Sequence, residues 1–163
     1  MKNIVFLRHA KSSWDFPLED INRPLLPKGI DRITKFARKD SIVFETAQSI
    51  FCSPAARAIH TALILIRETK LKYEDLSIDP LLYTFSPYKI EKYIYSLSNS
   101  FNNVILVGHN PAFTEIITKF SNSKLQNLPT ASWAKIKFLE NKWNRITKGE
   151  VIFGLPSKYN LNE

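Results

Sequence analysis

The run Val104-Ile105-Leu106-Val107 has no polar break, and Gly108-His109-Asn110-Pro111 follows it at once. A short, wholly apolar run of this kind fits a strand buried on both faces, as in a parallel sheet covered by helices. The pattern recurs in Ile4-Val5-Phe6-Leu7 and in Ser49-Ile50-Phe51-Cys52. Between and after these runs the apolar residues take helical spacing. Ile30, Ile33, Phe36 and Ala37 form one stripe after Pro27, and Ala55, Ala58, Ile59, Ala62, Leu65 and Ile66 form another after Ser53-Pro54. Ile90, Tyr93, Ile94 and Leu97 follow Ser86-Pro87, while Phe113, Ile116, Ile117 and Phe120 follow Asn110-Pro111. Ser or Asn before Pro reads as a helix cap followed by the first helical residue. Strand and helix signals in alternation predict a three-layer α/β/α fold, a mostly parallel twisted sheet with helices on both faces. The end of the chain differs. Ala134, Ile136 and Phe138 alternate with Lys135 and Lys137, as in a half-exposed strand, and Val151-Ile152-Phe153 suits a last strand in a hairpin-like end. The same alternation predicts Trp133 and Trp143 in the core rather than on a docking surface.

With 163 residues and no linker, repeat or low-complexity stretch, a single domain over 1–163 is expected. The one cysteine, Cys52, excludes an intrachain disulfide and a cysteine-based zinc site. Only Ile4 to Leu7 is apolar before Arg8, short of the roughly 7–15 residues of a signal peptide core. The run from Ala62 to Ile66 falls far below the roughly 20 residues of a membrane helix. A soluble, cytoplasmic protein with no membrane partner is the expectation, and a monomer is favoured. The 23 Lys and Arg residues against 15 Asp and Glu give a net charge of +8, which draws in anions. The basic residues are scattered rather than clustered among aromatics, so a nucleic-acid partner is not expected.

Three strand ends carry unusual residues. The first run delivers Arg8-His9, the second leads to Arg57 on the first turn of its helix, and the last delivers His109. Singly, each has an ordinary reading as a loop or surface residue. In an open α/β sheet, however, ligands bind outside the carboxyl ends of the parallel strands, so these four can meet in one crevice. Two guanidiniums present planar forks suited to phosphate oxygens, and the helix expected to start at Pro54 adds its N-terminal donors. One histidine can attack phosphorus, and the second, if protonated, can stabilise the equatorial oxygens. With four groups carrying the charge, no metal and no other cofactor is required. His60, one turn beyond Arg57, is expected to be structural or exposed.

These residues lie in recognisable wording. Leu7-Arg8-His9-Ala10-Lys11-Ser12-Ser13-Trp14 is similar to the Arg-His-Gly signature of the histidine phosphatase superfamily, which has the phosphoglycerate mutase-like fold. Arg23-Pro24-Leu25 with Gly29, Ser53-Pro54-Ala55-Ala56-Arg57-Ala58-Ile59-His60-Thr61-Ala62, and Val107-Gly108-His109-Asn110-Pro111 follow in the family's order and spacing. The short chain resembles the SixA-type phosphohistidine phosphatases most. The resemblance implies that His9 is the nucleophile, that Arg8, Arg57 and His109 bind the phosphoryl group, and that Ser12 lines the pocket. It implies a metal-independent phosphatase with a phosphohistidine intermediate. The expected partner is a protein bearing phosphohistidine, which a pocket with no large lid would suit.

There are departures. Ala10 stands in place of glycine, Leu26 in place of a capping polar residue, and Asp15 where related chains carry a phosphate-contacting asparagine. More telling is the proton donor for the leaving group. Where related enzymes place a carboxylic acid, this chain has Asn110 after the second histidine and no carboxylate in Pro80-Leu81-Leu82-Tyr83-Thr84. An imidazole, with a conjugate-acid pKa of about 6.5, leaves far more readily than an alkoxide. The missing acid therefore favours a phosphoramidate substrate, unless Asp15 or Asp79 reaches the site. Five rivals stand beside this reading. A phosphomonoesterase for small phosphoesters would share the site. A non-catalytic phosphate- or phosphohistidine-binding module would have no use for His9 as nucleophile. A basic adaptor for an acidic partner would rest on the charge alone. A cysteine phosphatase would need one more residue between Cys52 and Arg57, and a metal hydrolase would need clustered His and Asp ligands.

Overall fold

Successive residues of strand β1, Lys2–Arg8, point to opposite faces of the sheet, and both faces are covered. Ile4 and Phe6 enter one apolar core, and Val5 and Leu7 enter the other. This is why the first apolar run has no polar break. The same division holds in β4, Asn103–Gly108, where Val104 and Leu106 face one core and Ile105 and Val107 the other. The computed structural model describes residues 1–157.

Between these strands lie helix α1 at Pro27–Lys39, the single turn α2 at Ser41–Phe44, and strand β2 at Ser49–Cys52. Helix α3 at Ala56–Glu68, strand β3 at Leu76–Ile78 and helix α4 at Pro87–Ser96 follow. After β4 come α5 at Ala112–Ser121, β5 at Trp133–Phe138 and β6 at Glu150–Gly154. The six strands form one sheet in the order β3-β2-β4-β1-β5-β6. The first four are mutually parallel, while β5 and β6 run antiparallel and close the sheet as a hairpin-like edge. Helices α4 and α5 cover one face, and α1 and α3 cover the other. The three-layer fold expected from the apolar pattern is the one observed.

Pro27 and Pro87 each occupy the first turn of their helices, as expected. Two helix starts are shifted. Helix α3 begins at Ala56 with Ala55 at the cap position, and α5 begins at Ala112 with Pro111 there. In both cases the polar residue expected to cap has a tertiary partner, although Ser53 Oγ also accepts from Ala55 N–H at 3.3 Å. Ser53 bonds a histidine, and Asn110 donates to Asn127 Oδ1 and Leu128 O at 2.8 and 3.0 Å. Trp133 and Trp143 are buried as expected, with indole N–H groups donating to Asp40 Oδ2 and Phe101 O.

The chain leaving β1 is clamped before it reaches α1. Leu26 N–H donates to Lys11 O and Ser13 N–H to Pro24 O, both at 2.8 Å, and Ser12 forms a bridge with Leu25. Gly29 makes this possible, since a Cβ there would lie 2.3 Å from Lys11 O. At the opposite end of β1, Lys2 is wholly buried, and its ammonium donates to Asn99 O, Phe101 O and Asn102 Oδ1 at 2.6–3.0 Å. Among the described residues no helix is long and apolar enough to cross a membrane.

Candidate active site

Sheet register brings the two histidines together. Arg8 pairs with Gly108, so His9 and His109 are the first residues beyond two adjacent parallel strands. His9 N–H donates to Gly108 O at 3.1 Å, and the imidazole rings lie 5.1 Å apart between centroids. Arg57, from the first turn of α3, inserts its guanidinium between them. Its Nε donates to His9 Nε2 at 3.3 Å and its Nη2 reaches His109 Nδ1 at 3.5 Å. His9, His109 and Arg57 are all buried at the inner wall of a cavity of about 520 Å³, lined also by Arg8, Ser12 and Asn110. The four residues singled out by position therefore converge at one sheet edge.

Each ring has its tautomer set by a partner. His9 Nδ1 lies 2.8 Å from the carbonyl of Ala10, which can only accept, so Nδ1 carries the proton and Nε2 keeps its lone pair. Arg57 points a donor at His109 Nδ1, so the ring's proton sits on Nε2 and is donated to Ser53 Oγ at 2.7 Å. Burial drives the His9 pKa down to about 3, the Ala10 carbonyl opposes, and the charges of Arg57, Arg8 and Arg23 push further down. Burial, followed by His9 and Arg57, brings His109 to about 3 as well. With values this low both rings are neutral near pH 7, so the proton that would let the second histidine stabilise the equatorial oxygens is not held by this environment alone.

Arg8 lines the cavity, with Nη1 donating to Leu128 O at 2.7 Å and its Nε buried without a hydrogen-bond partner. Ser12 lines the cavity as expected, but its hydroxyl accepts from Arg23 Nη1 at 2.8 Å. Ala10, in the place of a glycine, is wholly buried, and its N–H donates to Thr61 Oγ1. His60 is exposed, as expected.

Asp20 is the cavity residue, bonded to the site's arginines, that the sequence reading missed. Its carboxylate accepts from Arg57 Nη2 at 2.9 Å, Arg23 Nε at 3.0 Å and the Tyr83 hydroxyl at 2.6 Å, and its backbone carbonyl accepts from Arg57 Nη1. Partial burial alone would raise its pKa, but the bonds from Tyr83, Arg57 and Arg23 outweigh it and hold the group at about 2. Its placement three residues before Arg23 was the available signal. Tyr83 and Phe85 also pack edge-on against His109, with centroids at 5.6 and 5.7 Å, and nothing in their local sequence marks them.

The two carboxylates weighed as proton donors are engaged elsewhere. Asp15 is exposed and accepts from Ser13 Oγ, and Asp79 accepts from Leu81 N–H. Asp20 is the one carboxylate lining the cavity among the described residues, beside Arg8, Lys11, Arg23 and Arg57. Cys52 is buried, with its thiol pushed up to about 12 by desolvation and directed at Ser53 O, so it has no thiolate to offer.

The comparisons agree with this geometry. Residues 4–82, just under half of the chain, match the family model of the histidine phosphatase superfamily (branch 1). That segment includes Arg8, His9 and Arg57 and ends before His109. No curated protein matches the chain in sequence. Among solved structures, a provisionally assigned phosphohistidine phosphatase SixA from Nakamurella multipartitia has 18% identity and a TM-score of 0.80, with 96% of each chain covered. The protein histidine phosphatase SixA complexed with tungstate has 18% identity and a TM-score of 0.74, covering 93% of this chain and 94% of that one. The α-ribazole phosphatase from Shigella flexneri has 15% identity and a TM-score of 0.64, covering 86% and 92%. The resemblance read from the motifs thus extends to the whole fold, which is shared by structures named for different substrates.

Proposed function

We propose that this chain is a metal-independent phosphatase of the histidine phosphatase superfamily, acting on phosphohistidine carried by a partner protein. The observation that carries the reading is the state of His9. Its Nδ1–H is tied to Ala10 O and its ring is neutral, so the Nε2 lone pair points among the cavity's arginines. A phosphoryl group entering there meets the guanidinium of Arg57 and that of Arg8.

In the first step His9 Nε2 bonds to phosphorus while the P–N bond of the substrate breaks. The leaving imidazole departs neutral once its other ring nitrogen is protonated, which water accomplishes near pH 7. His109 meets the dianion as a neutral ring whose Nδ1 lone pair would repel it. The bound negative charge raises the His109 pKa, and a proton taken up at Nδ1 turns that atom into a donor for a phosphoryl oxygen. In the second step water attacks phosphorus, the His9–phosphorus bond breaks, and phosphate leaves with His9 restored. Asp20, held ionised by its three donors, does not supply the proton an alkoxide would need. That supports a P–N substrate over a phosphoester.

The test is phosphate release, in EDTA, from a phosphohistidine protein and from an aryl phosphate, by wild type and His9→Ala. Release from the phosphohistidine protein by wild type alone is the expected result. Release from the aryl phosphate only would keep the phosphatase and overturn its substrate. Release from neither would leave a phosphate-binding module.

A further inference from the structure

A second groove, of about 590 Å³, runs along the start of α4 and is lined chiefly by Leu81, Tyr83, Tyr88, Lys89, Lys92 and Tyr93. Of its lining, the mechanism uses only the Tyr83 hydroxyl. The groove adjoins the catalytic site through Tyr83, which lines the groove, packs its ring on His109 and bonds Asp20 with its hydroxyl. The groove is apolar with a basic rim. Leu81 is 68% exposed and Tyr88 59%, and no carboxylate is among its lining residues in the described chain. The nearby carboxylates are already engaged: Asp79 by Leu81 N–H and the Tyr93 hydroxyl, and Glu91 by Lys119 and Tyr95. Lys92 Nζ lies 4.6 Å from the centre of the Tyr88 ring, which keeps a cation at the mouth.

An exposed apolar residue also lines the catalytic cavity itself. Trp14 is 76% exposed, with the Arg23 guanidinium 3.5 Å from its ring centre, and Phe16 and Leu18 follow it on the surface. Exposed large apolar residues gathered at one opening mark an interaction surface. Aromatic side chains and cations without carboxylates select an acidic partner that also brings apolar side chains.

We propose that this groove docks the polypeptide next to the phosphorylated side chain of the protein substrate, and that the docked segment is acidic with interspersed aliphatic residues. The proposal rests on the phosphohistidine phosphatase reading and adds the chemistry of the sequence flanking the phosphorylated site. Charge complementarity at Lys89 and Lys92 argues for it, as does Tyr83, which lines the groove and packs on His109. Free phosphohistidine would fill the catalytic cavity and leave the groove untouched.

The experiment compares kcat/KM for three probes: a phosphohistidine peptide flanked by Glu and Leu, the same peptide with Lys in place of Glu, and free phosphohistidine. Wild type should prefer the Glu/Leu peptide by about tenfold over the Lys peptide, and added salt should erode the preference. Lys89→Glu/Lys92→Glu should abolish or invert that preference while turnover of free phosphohistidine stays unchanged, which also shows that the variant is folded. Equal rates on the two peptides in wild type would overturn the groove and leave the phosphatase standing. So would an equal loss on all three probes in the variant. No turnover of free phosphohistidine by wild type would overturn the phosphatase reading and the groove with it.

Discussion

Asp20 and Arg57 form the ion pair at the centre of the cavity, with Nη2 2.9 Å from Oδ2 and Nη1 on the Asp20 backbone carbonyl. The pair aligns the guanidinium that touches both histidines, and it places a negative charge where an anion must bind. The second effect predicts a gain on neutralisation. Asp20→Asn keeps an acceptor for Arg57 and removes the repulsion, so it should bind inorganic phosphate about three- to tenfold more tightly. Product inhibition constants measure this. Weaker binding would mean that alignment of Arg57 outweighs the charge.

Ser53 is wholly buried and holds the Nε2–H of His109. Without it the ring can present either tautomer to the cavity. Ser53→Ala should lower kcat by about tenfold, with a smaller change in KM, and should move the pH profile of kcat because the proton on His109 is no longer directed. An unchanged kcat and pH profile would remove Ser53 from the machinery.

The two buried histidines make the fold acid-sensitive. Both take the ordinary value of 6.5 when unfolded and about 3 when folded. Between these values the unfolded chain binds more protons, so stability falls as pH drops from about 6.5 towards 3 and is fully present above that window. Thermal midpoints across this range should fall, and His109→Gln should make the decline shallower. Asp20, held at about 2, adds loss in the same direction below the ordinary carboxylate range. A midpoint flat from pH 6.5 to 4 would contradict the neutral, buried rings.

Lys2 satisfies three acceptors at the base of β1 and lies 5.3 Å from the centre of the Trp143 ring. Lys2→Met keeps the apolar stem but leaves Asn99 O and Asn102 Oδ1 without their donor, while Phe101 O keeps the Trp143 indole N–H, at a cost of about 1–3 kcal/mol. Urea unfolding of the variant tests this, with turnover per folded molecule expected to be unchanged, since Lys2 lies at the end of the strand opposite His9.

Strand positions were legible because a strand buried on both faces has to be apolar throughout, as Ile4 to Leu7 and Val104 to Val107 are. His9, His109, Arg8 and Arg57 were legible because strand ends in such a sheet share one edge. Helix starts were read less well: Asn110 has the local form of a cap but its side chain goes to Asn127 and Leu128, and Ser53 divides its hydroxyl between Ala55 N–H and His109. Tertiary demand overrode local preference at the two places nearest the site. Asp20 offered only its spacing from Arg23 as a signal, and Tyr83 offered none. Their contact is one hydrogen bond between residues 63 positions apart, which no periodic or turn pattern in either segment announces.

The pairing of β1 with β4 joins Asn3 to Asn103 and Arg8 to Gly108. Such a parallel contact closes late, because the entropy of a long loop must be lost before the contact forms. A refolding intermediate lacking it would hold Arg8 and His9 on one strand, with His109 still on an undocked segment. Recovery of turnover during refolding therefore times the closure of this central pair of strands, whereas helical signal returns whether or not the two strands have met.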